Sequence, residues 1–191
     1  MGKIVVSENV TLDGVIQDPA GDEGFRLGGW VGHIQDRPAV GKAALDEALG
    51  AEGLLMGRRT YEFFAARWPS RSGALADRLN SLPKYIVSST LEDPEWNNST
   101  VLKGDAVKEV SKLKEGVAGR IVVPGSIRLV RTLLEHDLVD ELRLMVFPVV
   151  LGGGKRIFAD TGEKKRLRLA DSKMVGDGVA ILTYQRAGDG A

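Results

Sequence analysis

The sequence predicts an α/β fold built on a largely parallel sheet. Short apolar segments rich in β-branched residues alternate with segments whose apolar residues recur at helical spacing, which is typical of parallel strands joined by helices. Toward the end, strand-like segments are separated by glycine turns, and Asp177-Gly178 lies between two of them. Because this dipeptide is a strong hairpin signal, we expect the mixed sheet to end in an antiparallel hairpin.

In the first half, consecutive apolar residues predict a buried strand over 3–7, and a second apolar run predicts a strand that ends at Gly57. Helical spacing predicts a helix over 39–49 that Gly50 ends, and a helix after Gly57 that closes near residues 68–69. A short helix over 74–79 is ended by Pro83.

In the second half, the same criteria predict strands over 84–87, 100–102 and 120–123 and helices over 106–115 and 127–135. The last third reads as strands over 141–146, 166–174 and 179–185. We find no repeat or linker, so we expect a single domain over 1–186 with a disordered tail over 187–191.

Composition excludes several kinds of site. The chain has 26 basic and 26 acidic residues, so its zero net charge argues against a broad nucleic-acid or anionic-membrane surface. It contains no cysteine, which excludes disulfides and thiolate nucleophiles, and only two histidines, so we expect no metal site. No apolar run has the length of a signal peptide or a membrane span. We expect a soluble, cytoplasmic protein without nucleic-acid or membrane partners.

A candidate anion site follows the strand that ends at Gly57. The next residues, Arg58, Arg59 and Thr60, read as the first turn of a helix. Unpaired N–H groups at a helix N-terminus attract anions, and two arginines add full charges, so we interpret this junction as a nucleotide site. The alternative is an ordinary turn with two solvated arginines.

A second junction of this kind occurs where Gly125-Ser126 leads into the helix beginning near Ile127. Between the two junctions, a strand ends in Ser88-Ser89-Thr90, whose hydroxyls could bind a phosphate or ribose, or form a capped turn. Two junctions and a hydroxyl-rich strand end in one sheet favour a dinucleotide. Neither junction has the Gly-x-Gly-x-x-Gly pattern.

Candidate substrate groups come early in the chain. Asp13-Gly14 is a turn signal, but a carboxylate at a strand end is also where α/β folds place substrate contacts. The glycine-rich segment 17–38 is long enough to indicate a functional or mobile loop. Its Trp30 either caps a ligand pocket or covers the edge of the core. The Gly152–Gly154 run with Lys155 and Arg156 lacks the ending of a phosphate-binding P-loop, so we do not favour that interpretation.

Several motifs, in order over nearly the whole chain, resemble the dihydrofolate-reductase-like superfamily. The similarity is closest to the C-terminal reductase domain of bifunctional riboflavin-biosynthesis enzymes and to related small bacterial proteins. The motifs are Ser7 with Thr11-Leu12-Asp13-Gly14, Met56-Gly57-Arg58-Arg59-Thr60-Tyr61-Glu62, Val87-Ser88-Ser89, Gly125-Ser126, Leu138-Val139-Asp140-Glu141-Leu142 and Pro148-Val149-Val150-Leu151-Gly152. The resemblance implies a three-layer fold with helices on both faces of the sheet.

The resemblance also implies a reductase that transfers a hydride from NADPH to a pterin-like, other small heterocyclic or sugar-derived substrate. The residues it assigns to the cofactor are Gly57, Arg58, Arg59, Thr60, Ser88, Ser89, Gly125, Ser126 and Ile127. An arginine of the first junction would lie near the 2′-phosphate. By the same resemblance Asp13 would face the substrate, and it is our candidate catalytic residue that orders a proton donor. From the residues themselves we add Gly14 and Trp30 as candidate substrate contacts.

One departure from the family pattern bears on the cofactor. Close relatives carry consecutive glycines where this chain has Pro124-Gly125, and proline fixes φ and removes an N–H donor, so cofactor binding could be weakened there. The Val123-Pro124 bond could still be cis. An alternative to the reductase is therefore an inactive nucleotide-binding or regulatory module with the same fold. A purely structural domain would need every motif match to be accidental. A homodimer is also expected.

Overall fold

A computed structural model of the protein describes residues 1–158 and 164–187. The strands are β1 (Lys3–Thr11), β2 (Ala51–Gly57), β3 (Lys84–Val87), β4 (Ser99–Leu102), β5 (Arg120–Pro124), β6 (Glu141–Phe147), β7 (Leu167–Val175) and β8 (Val179–Arg186). The helices are α1 (Arg37–Leu49), α2 (Arg58–Ala65), α3 (Ala74–Ser81), α4 (Ala106–Gly116) and α5 (Ile127–Glu135), with a 3₁₀ helix over Trp30–His33.

The strands form a mixed sheet in the order β4-β3-β2-β5-β1-β6-β8-β7. The pairs β4–β3, β3–β2 and β2–β5 are parallel, whereas β6–β8 and β8–β7 are antiparallel. The predicted α/β class, the mostly parallel sheet and the C-terminal hairpin are thus confirmed. Among the described residues, no helix is both long and apolar enough to cross a membrane.

Residue contacts group the chain into two compact units, each made of separate chain segments. Unit 1 comprises Met1–Val6 and Ala44–Asp140, and unit 2 comprises Ser7–Ala43 and Glu141–Ala191. The predicted single domain over 1–186 stays a prediction. Of the predicted disordered tail, residues 188–191 lie outside the described residues.

Unit 1 has a core of aliphatic and aromatic side chains from its parallel strands and their helices. Its members include Leu54, Met56, Tyr61, Ile86 and Trp96, all at most 4% exposed. The β-branched and apolar runs of the strands supply this core because successive residues of a doubly covered strand are all buried.

The start of β1 is fastened within unit 1. The Asp140 carboxylate accepts the Ile4 N–H at 2.7 Å and the Lys114 ammonium at 2.6 Å, and the Asp140 N–H donates to the Ile4 carbonyl at 3.0 Å. The charge of the largely buried Lys114 is thus paired with a carboxylate, as a buried charge requires.

Unit 2 has a smaller core made of Trp30, Ile34, Phe147 and Val179. Trp30 and Phe147 pack edge to face with ring centroids 5.4 Å apart. At the tip of the β7–β8 hairpin, the Asp177 carboxylate accepts the Gln35 and Asp36 N–H groups just before α1, at 3.2 and 3.4 Å. The outer strand β7 is exposed over eight of its nine residues.

Residues 88–98, between β3 and β4, are irregular, and the sequence predicted no helix there. The structure departs from the prediction in the bounds of three elements. Strand β1 continues to Thr11, four residues beyond its predicted end at residue 7. Helix α2 ends at Ala65, before the predicted residues 68–69, and α1 begins two residues earlier than predicted, at Arg37. The α1 start is shifted because Asp36 acts as its cap, accepting the Ala39 N–H at 3.2 Å.

Candidate functional site

The junction of β2 and α2 has the predicted strand–glycine–helix form. Gly57 is the last residue of β2 and Arg58 the first of α2. Gly57 is extended at φ −78°, and no side chain caps the helix. Because the first N–H groups of a helix have no partner within the helix, α2 presents uncapped donors at its N-terminus, where the helix dipole is also positive.

The junction of β5 and α5 is interlocked with the first one. Gly125 and Ser126 both have left-handed backbones, at φ 57° and 63°, which is uncommon for serine. The Ser126 N–H donates to Thr60 Oγ1 at 3.0 Å, and Ser126 Oγ accepts the Gly57 N–H at 3.0 Å. Since the serine hydroxyl is turned toward Gly57, it does not cap α5, whose first residue is Ile127.

The two arginines of the first junction differ in their contacts. The Arg58 guanidinium donates from Nε to Glu62 Oε1 at 2.6 Å and from Nη1 to Thr90 Oγ1 at 2.7 Å. Arg59 is exposed, and it has no hydrogen bond or ion pair with any residue that the structure describes. Both retain N–H donors that an anion could use.

The strand-end serines form the capped turn that was one of the two sequence alternatives. Ser88 Oγ accepts the N–H groups of Thr90 and Leu91, at 3.2 and 3.0 Å. The hydroxyl hydrogen of Ser88 remains a donor and Ser89 is exposed, so both serines keep groups that a ligand can contact.

Pro124 is the last residue of β5, and the Val123-Pro124 peptide is trans, so the suggestion of a cis bond is wrong. The Pro124 carbonyl accepts the Ser126 hydroxyl at 3.3 Å. The two left-handed residues of this turn are Gly125 and Ser126, so Pro124 itself does not need a positive φ.

Asp13 lies in a turn of unit 2 and is almost fully engaged. Its Oδ1 accepts the Thr11 hydroxyl at 2.7 Å and the Leu151 N–H at 3.2 Å, and its Oδ2 accepts the Gly152 N–H at 2.9 Å. The hydrogen bond from Thr11, followed by those from the two N–H groups, lowers the pKa of Asp13 from 3.8 to about 2. At neutral pH this carboxylate is ionised and has no proton to donate.

Arg156 completes the Asp13 cluster and was not singled out with it from the sequence. Its Nε donates to the Asp13 carbonyl at 2.9 Å, and its Nη2 lies 3.6 Å from Asp13 Oδ2. Gly14 has φ 82°, a left-handed value that suits glycine, and its position faces the Arg156 side chain. The cluster joins residues about 140 positions apart, so no local sequence signal could have paired them.

Trp30 is 1% exposed, and its Nε1 donates to the Gln17 carbonyl at 2.9 Å. Its place in the core of unit 2 agrees with the second sequence alternative, a residue that covers core. A direct substrate contact by Trp30 would require this core to open.

The glycine-rich segment around Trp30 is organised by Asp18, a residue that the sequence interpretation passed over. Asp18 is 2% exposed, and its carboxylate accepts the N–H groups of Glu23 and Phe25, each at 3.0 Å. A Cβ at Gly28 would lie 2.4 Å from Asp18 Oδ2. This glycine is therefore required by close packing, and the loop has a defined internal structure.

An anionic cofactor fits the residues of unit 1. Two helix N-termini without side-chain caps, the Arg59 side chain and the spare donors of Arg58 are all cationic or N–H groups, which is the donor set that phosphates bind. Among the described residues, no group of three or more histidine, aspartate and glutamate side chains could hold a metal ion.

The sequence and the fold match one protein family. Residues 2–181 match the model of the RibD C-terminal domain family. The chain belongs to this family. It is 28% identical over 187 residues to the uncharacterized protein YyaP of Bacillus subtilis strain 168, covering 95% of this chain and 94% of that protein.

Solved structures show the same fold. A Shewanella sp. PV-4 protein assigned to riboflavin biosynthesis is 23% identical with a TM-score of 0.75, and the match covers 97% of this chain and 99% of that one. The diaminohydroxyphosphoribosylaminopyrimidine deaminase/5-amino-6-(5-phosphoribosylamino)uracil reductase of Thermotoga maritima is 16% identical with a TM-score of 0.63. This match covers 97% of our chain and 57% of the Thermotoga protein. At these identities the likeness establishes the fold, which agrees with the dihydrofolate-reductase-like resemblance.

Proposed function

We propose that this RibD C-terminal family member is an NADPH-dependent reductase acting on a small heterocyclic, pterin-like or sugar-derived substrate. The observation that carries the proposal is the pair of interlocked junctions in unit 1. Both helices begin without a side-chain cap, and Thr60 and Ser126 fix the two turns to each other. Backbone donors held in this way suit a ligand with several phosphate groups.

The cofactor assignment follows from charge. We assign the pyrophosphate to the start of α5 at Gly125, Ser126 and Ile127, and the 2′-phosphate to the arginines at the start of α2. Arginine binds phosphate through paired N–H groups, whereas a bare ribose is usually held by an acidic residue. Ser88 and Ser89 are assigned to the adenosine half.

NADPH, when bound, supplies the hydride, and the chain supplies orientation and a route for a proton. We assign Asp13 and Gly14 to the substrate, and Asp13 to ordering a proton donor through water. The carboxylate keeps room for one further hydrogen bond beside its three present donors, which is what holding a water requires. The Asp13→Asn variant should therefore turn over more slowly while its affinity for NADPH is unchanged.

Two observations favour a second candidate, a nucleotide-binding module without catalysis. The polar atoms of the Asp13 cluster are mostly satisfied within the protein, and Pro124 replaces a glycine of the family pattern. In that case the chain would bind the dinucleotide and leave it unoxidised in the presence of any substrate.

The first test is calorimetric titration of the purified chain with NADPH and, separately, with NADH. Micromolar binding of NADPH and much weaker binding of NADH are the expected results. Turnover of bound NADPH is then followed by absorbance with carbonyl, imine and pterin substrates. Binding without turnover would favour the module, and failure to bind either nucleotide would overturn both candidates.

The phosphate assignment is tested by changing Arg58 and Arg59 together to alanine. Because NADPH and NADH differ only by the 2′-phosphate, loss of two cations should raise the Kd for NADPH by about thirtyfold or more, with little change for NADH. The matched control is Arg131→Ala, on α5 of the same unit. Equal losses for the two nucleotides would contradict the assignment.

Two sequence predictions carry over as proposals. We propose a homodimer, and the three exposed apolar side chains Leu167, Leu169 and Met174 on the outer strand β7 support it. Light scattering with size-exclusion chromatography tests the assembly. We also propose a cytoplasmic location, which fractionation of the source cells would test.

A further inference from the structure

The contacts of Arg58 point to roles for two residues that no motif singled out for this purpose. We propose that Thr90 and Glu62 are positioning residues, which hold the Arg58 guanidinium ready for the 2′-phosphate and so set the preference for NADPH over NADH. This inference rests on the proposed function, and it assigns different roles to the neighbouring residues Arg58 and Arg59.

The guanidinium of Arg58 is held from two sides by two different segments. Glu62, one helical turn further along α2, accepts from Nε at 2.6 Å, and Thr90, from the turn after β3, accepts from Nη1 at 2.7 Å. Two bonds to a planar group fix its plane as well as its position. Three of its five N–H hydrogens, on Nη1 and Nη2, then remain for an anion.

Thr90 is itself held in place by Ser88. The Thr90 N–H donates to Ser88 Oγ at 3.2 Å, and the Leu91 N–H donates to the same oxygen at 3.0 Å. The next segment is anchored to α2 as well, because the Trp96 N–H donates to the Tyr61 hydroxyl at 3.0 Å. The support of Arg58 therefore belongs to an ordered turn.

Arg59 provides the contrast within the same helical turn. It has the same charge and is likewise exposed, but no described residue holds its side chain. An unrestrained arginine must lose side-chain freedom when it binds, whereas Arg58 has lost much of that freedom already. Preorganisation thus makes Arg58 the stronger determinant of phosphate recognition.

An isolated i,i+4 ion pair such as Arg58–Glu62 would be ordinary on a helix surface and would contribute little to stability. The bond to Thr90 is what distinguishes this case, because it comes from another segment and fixes the second edge of the guanidinium. The test therefore centres on Thr90, whose hydroxyl can be removed without changing charge and nearly without changing shape.

The experiment compares Thr90→Val with Thr90→Ser, which keeps the hydroxyl, and with Thr100→Val, an exposed threonine on β4 of the same unit. Titrations use NADPH, NADH and the fragment 2′,5′-ADP. We expect Thr90→Val to raise the Kd for NADPH and for 2′,5′-ADP by about fivefold and to leave NADH unchanged. Thr90→Ser and Thr100→Val should bind like the natural sequence.

A second readout needs no cofactor. Nuclear magnetic resonance of the free protein should show slower exchange with water for the Arg58 Nε–H than for the Arg59 Nε–H, since only the former is hydrogen-bonded. Equal exchange rates would overturn the positioning roles, whatever the protein binds. NADPH binding with an NADPH to NADH preference unchanged in Thr90→Val would also overturn them, while the proposed reductase would stand. Failure of the natural sequence to bind NADPH, with slow Arg58 exchange, would overturn the phosphate role and the proposed function together.

Discussion

Two regions of the molecule are built on turns that contain glycine, but they use polar groups in opposite ways. One is the pair of β2–α2 and β5–α5 junctions in unit 1, and the other is the Asp13 turn in unit 2. At the junctions, the internal hydrogen bonds tie Gly57, Thr60 and Ser126 together and leave the helix N-termini without side-chain caps. At the Asp13 turn, a carboxylate accepts the N–H groups of Leu151 and Gly152. At the junctions, N–H groups at the start of each helix are left without a side-chain acceptor. At the Asp13 turn, the backbone N–H groups are hydrogen-bonded within the protein.

This difference teaches that a glycine-rich turn beside basic residues does not by itself indicate a phosphate site. The run from Gly152 to Arg156 has the composition of such a site. However, Asp13 accepts the N–H groups of Leu151 and Gly152, and Gln17 accepts that of Lys155. What distinguishes the two regions is that side-chain oxygens accept the N–H groups of the glycine run, whereas no side chain caps the first turns of α2 and α5. Only the three-dimensional structure shows where those oxygens lie.

The comparison is sharpened most by adding a Cβ to one glycine in each region. Gly154 has φ 123°, and a Cβ there would lie 2.7 Å from Val15 Cγ1, whereas a Cβ at Gly125, with φ 57°, would meet Thr60 at 3.3 Å. We expect Gly154→Ala to lower the free energy of unfolding by about 3 kcal/mol and Gly125→Ala by about 1 kcal/mol. Urea denaturation followed by circular dichroism measures both losses, and equal losses would refute the packing argument.

A smaller effect tests whether the Asp13 carboxylate stabilises its turn. Its folded pKa of about 2 lies below the ordinary 3.8, so the stabilisation is complete above pH 3.8 and is lost as the pH falls toward 2. Allowing for solvent screening, we expect Asp13→Asn to cost about 1 kcal/mol at pH 7 and progressively less below pH 4. Thermal unfolding of both proteins from pH 2 to pH 7 checks this, and a difference that does not depend on pH would contradict it.

The last prediction concerns Lys84, whose ammonium, unlike the Arg59 guanidinium, is bound entirely by groups inside unit 1. Its side chain is fully buried, and Nζ donates to the Asn80 and Asn97 carbonyls at 2.7 and 3.0 Å. The ammonium also lies 4.2 Å from the centre of the Trp96 ring. Burial lowers the pKa of Lys84 from 10.5 to about 8.

Between pH 8 and 10.5 the unfolded chain therefore binds more protons at Lys84 than the folded chain does, so this residue should make stability rise with pH across that window. Lys84→Met removes the titrating group and serves as the reference. The measurement is the difference in urea midpoint between the two proteins at pH 7.5, 9 and 10. A constant or falling difference would show that the two carbonyls hold the charge more firmly than burial disfavours it.

Sequence patterns predicted most of the fold because local signals decide it. The apolar runs, helical spacings and glycine stops placed all eight strands and five helices, and the hairpin signal at Asp177-Gly178 was sufficient for β7 and β8. For residues 88–98 the sequence predicted no helix and none forms, but the contacts that hold this segment could not be predicted. That segment is held by Lys84, Tyr61 and Asn80, whose side chains reach it from other elements.

The candidate site was predicted less completely, because its geometry depends on contacts between residues far apart in the sequence. The positions of Gly57 and Ser126 at strand ends follow from local pattern, but the bond between them spans 69 residues. Likewise Arg58 and Arg59 are neighbours of the same residue type, and what separates them most is the bond from Arg58 to Thr90, which comes from a distant part of the chain. The carboxylate of Asp18 organises the loop around Trp30, but the residues next to it in the sequence do not indicate that it is buried.

The Asp177 contact at the start of α1 has a consequence for synthesis of the protein. The hydrogen bonds from Gln35 and Asp36 to Asp177 span 142 and 141 residues, and unit 2 as a whole joins Ser7–Ala43 to Glu141–Ala191. On a ribosome, the early segment of unit 2 must wait until nearly the whole chain has emerged. By contrast, most of unit 1 is one continuous stretch of the sequence, and it can fold once Asp140 has left the ribosome. The chain therefore builds its candidate cofactor region first and closes its candidate substrate region last.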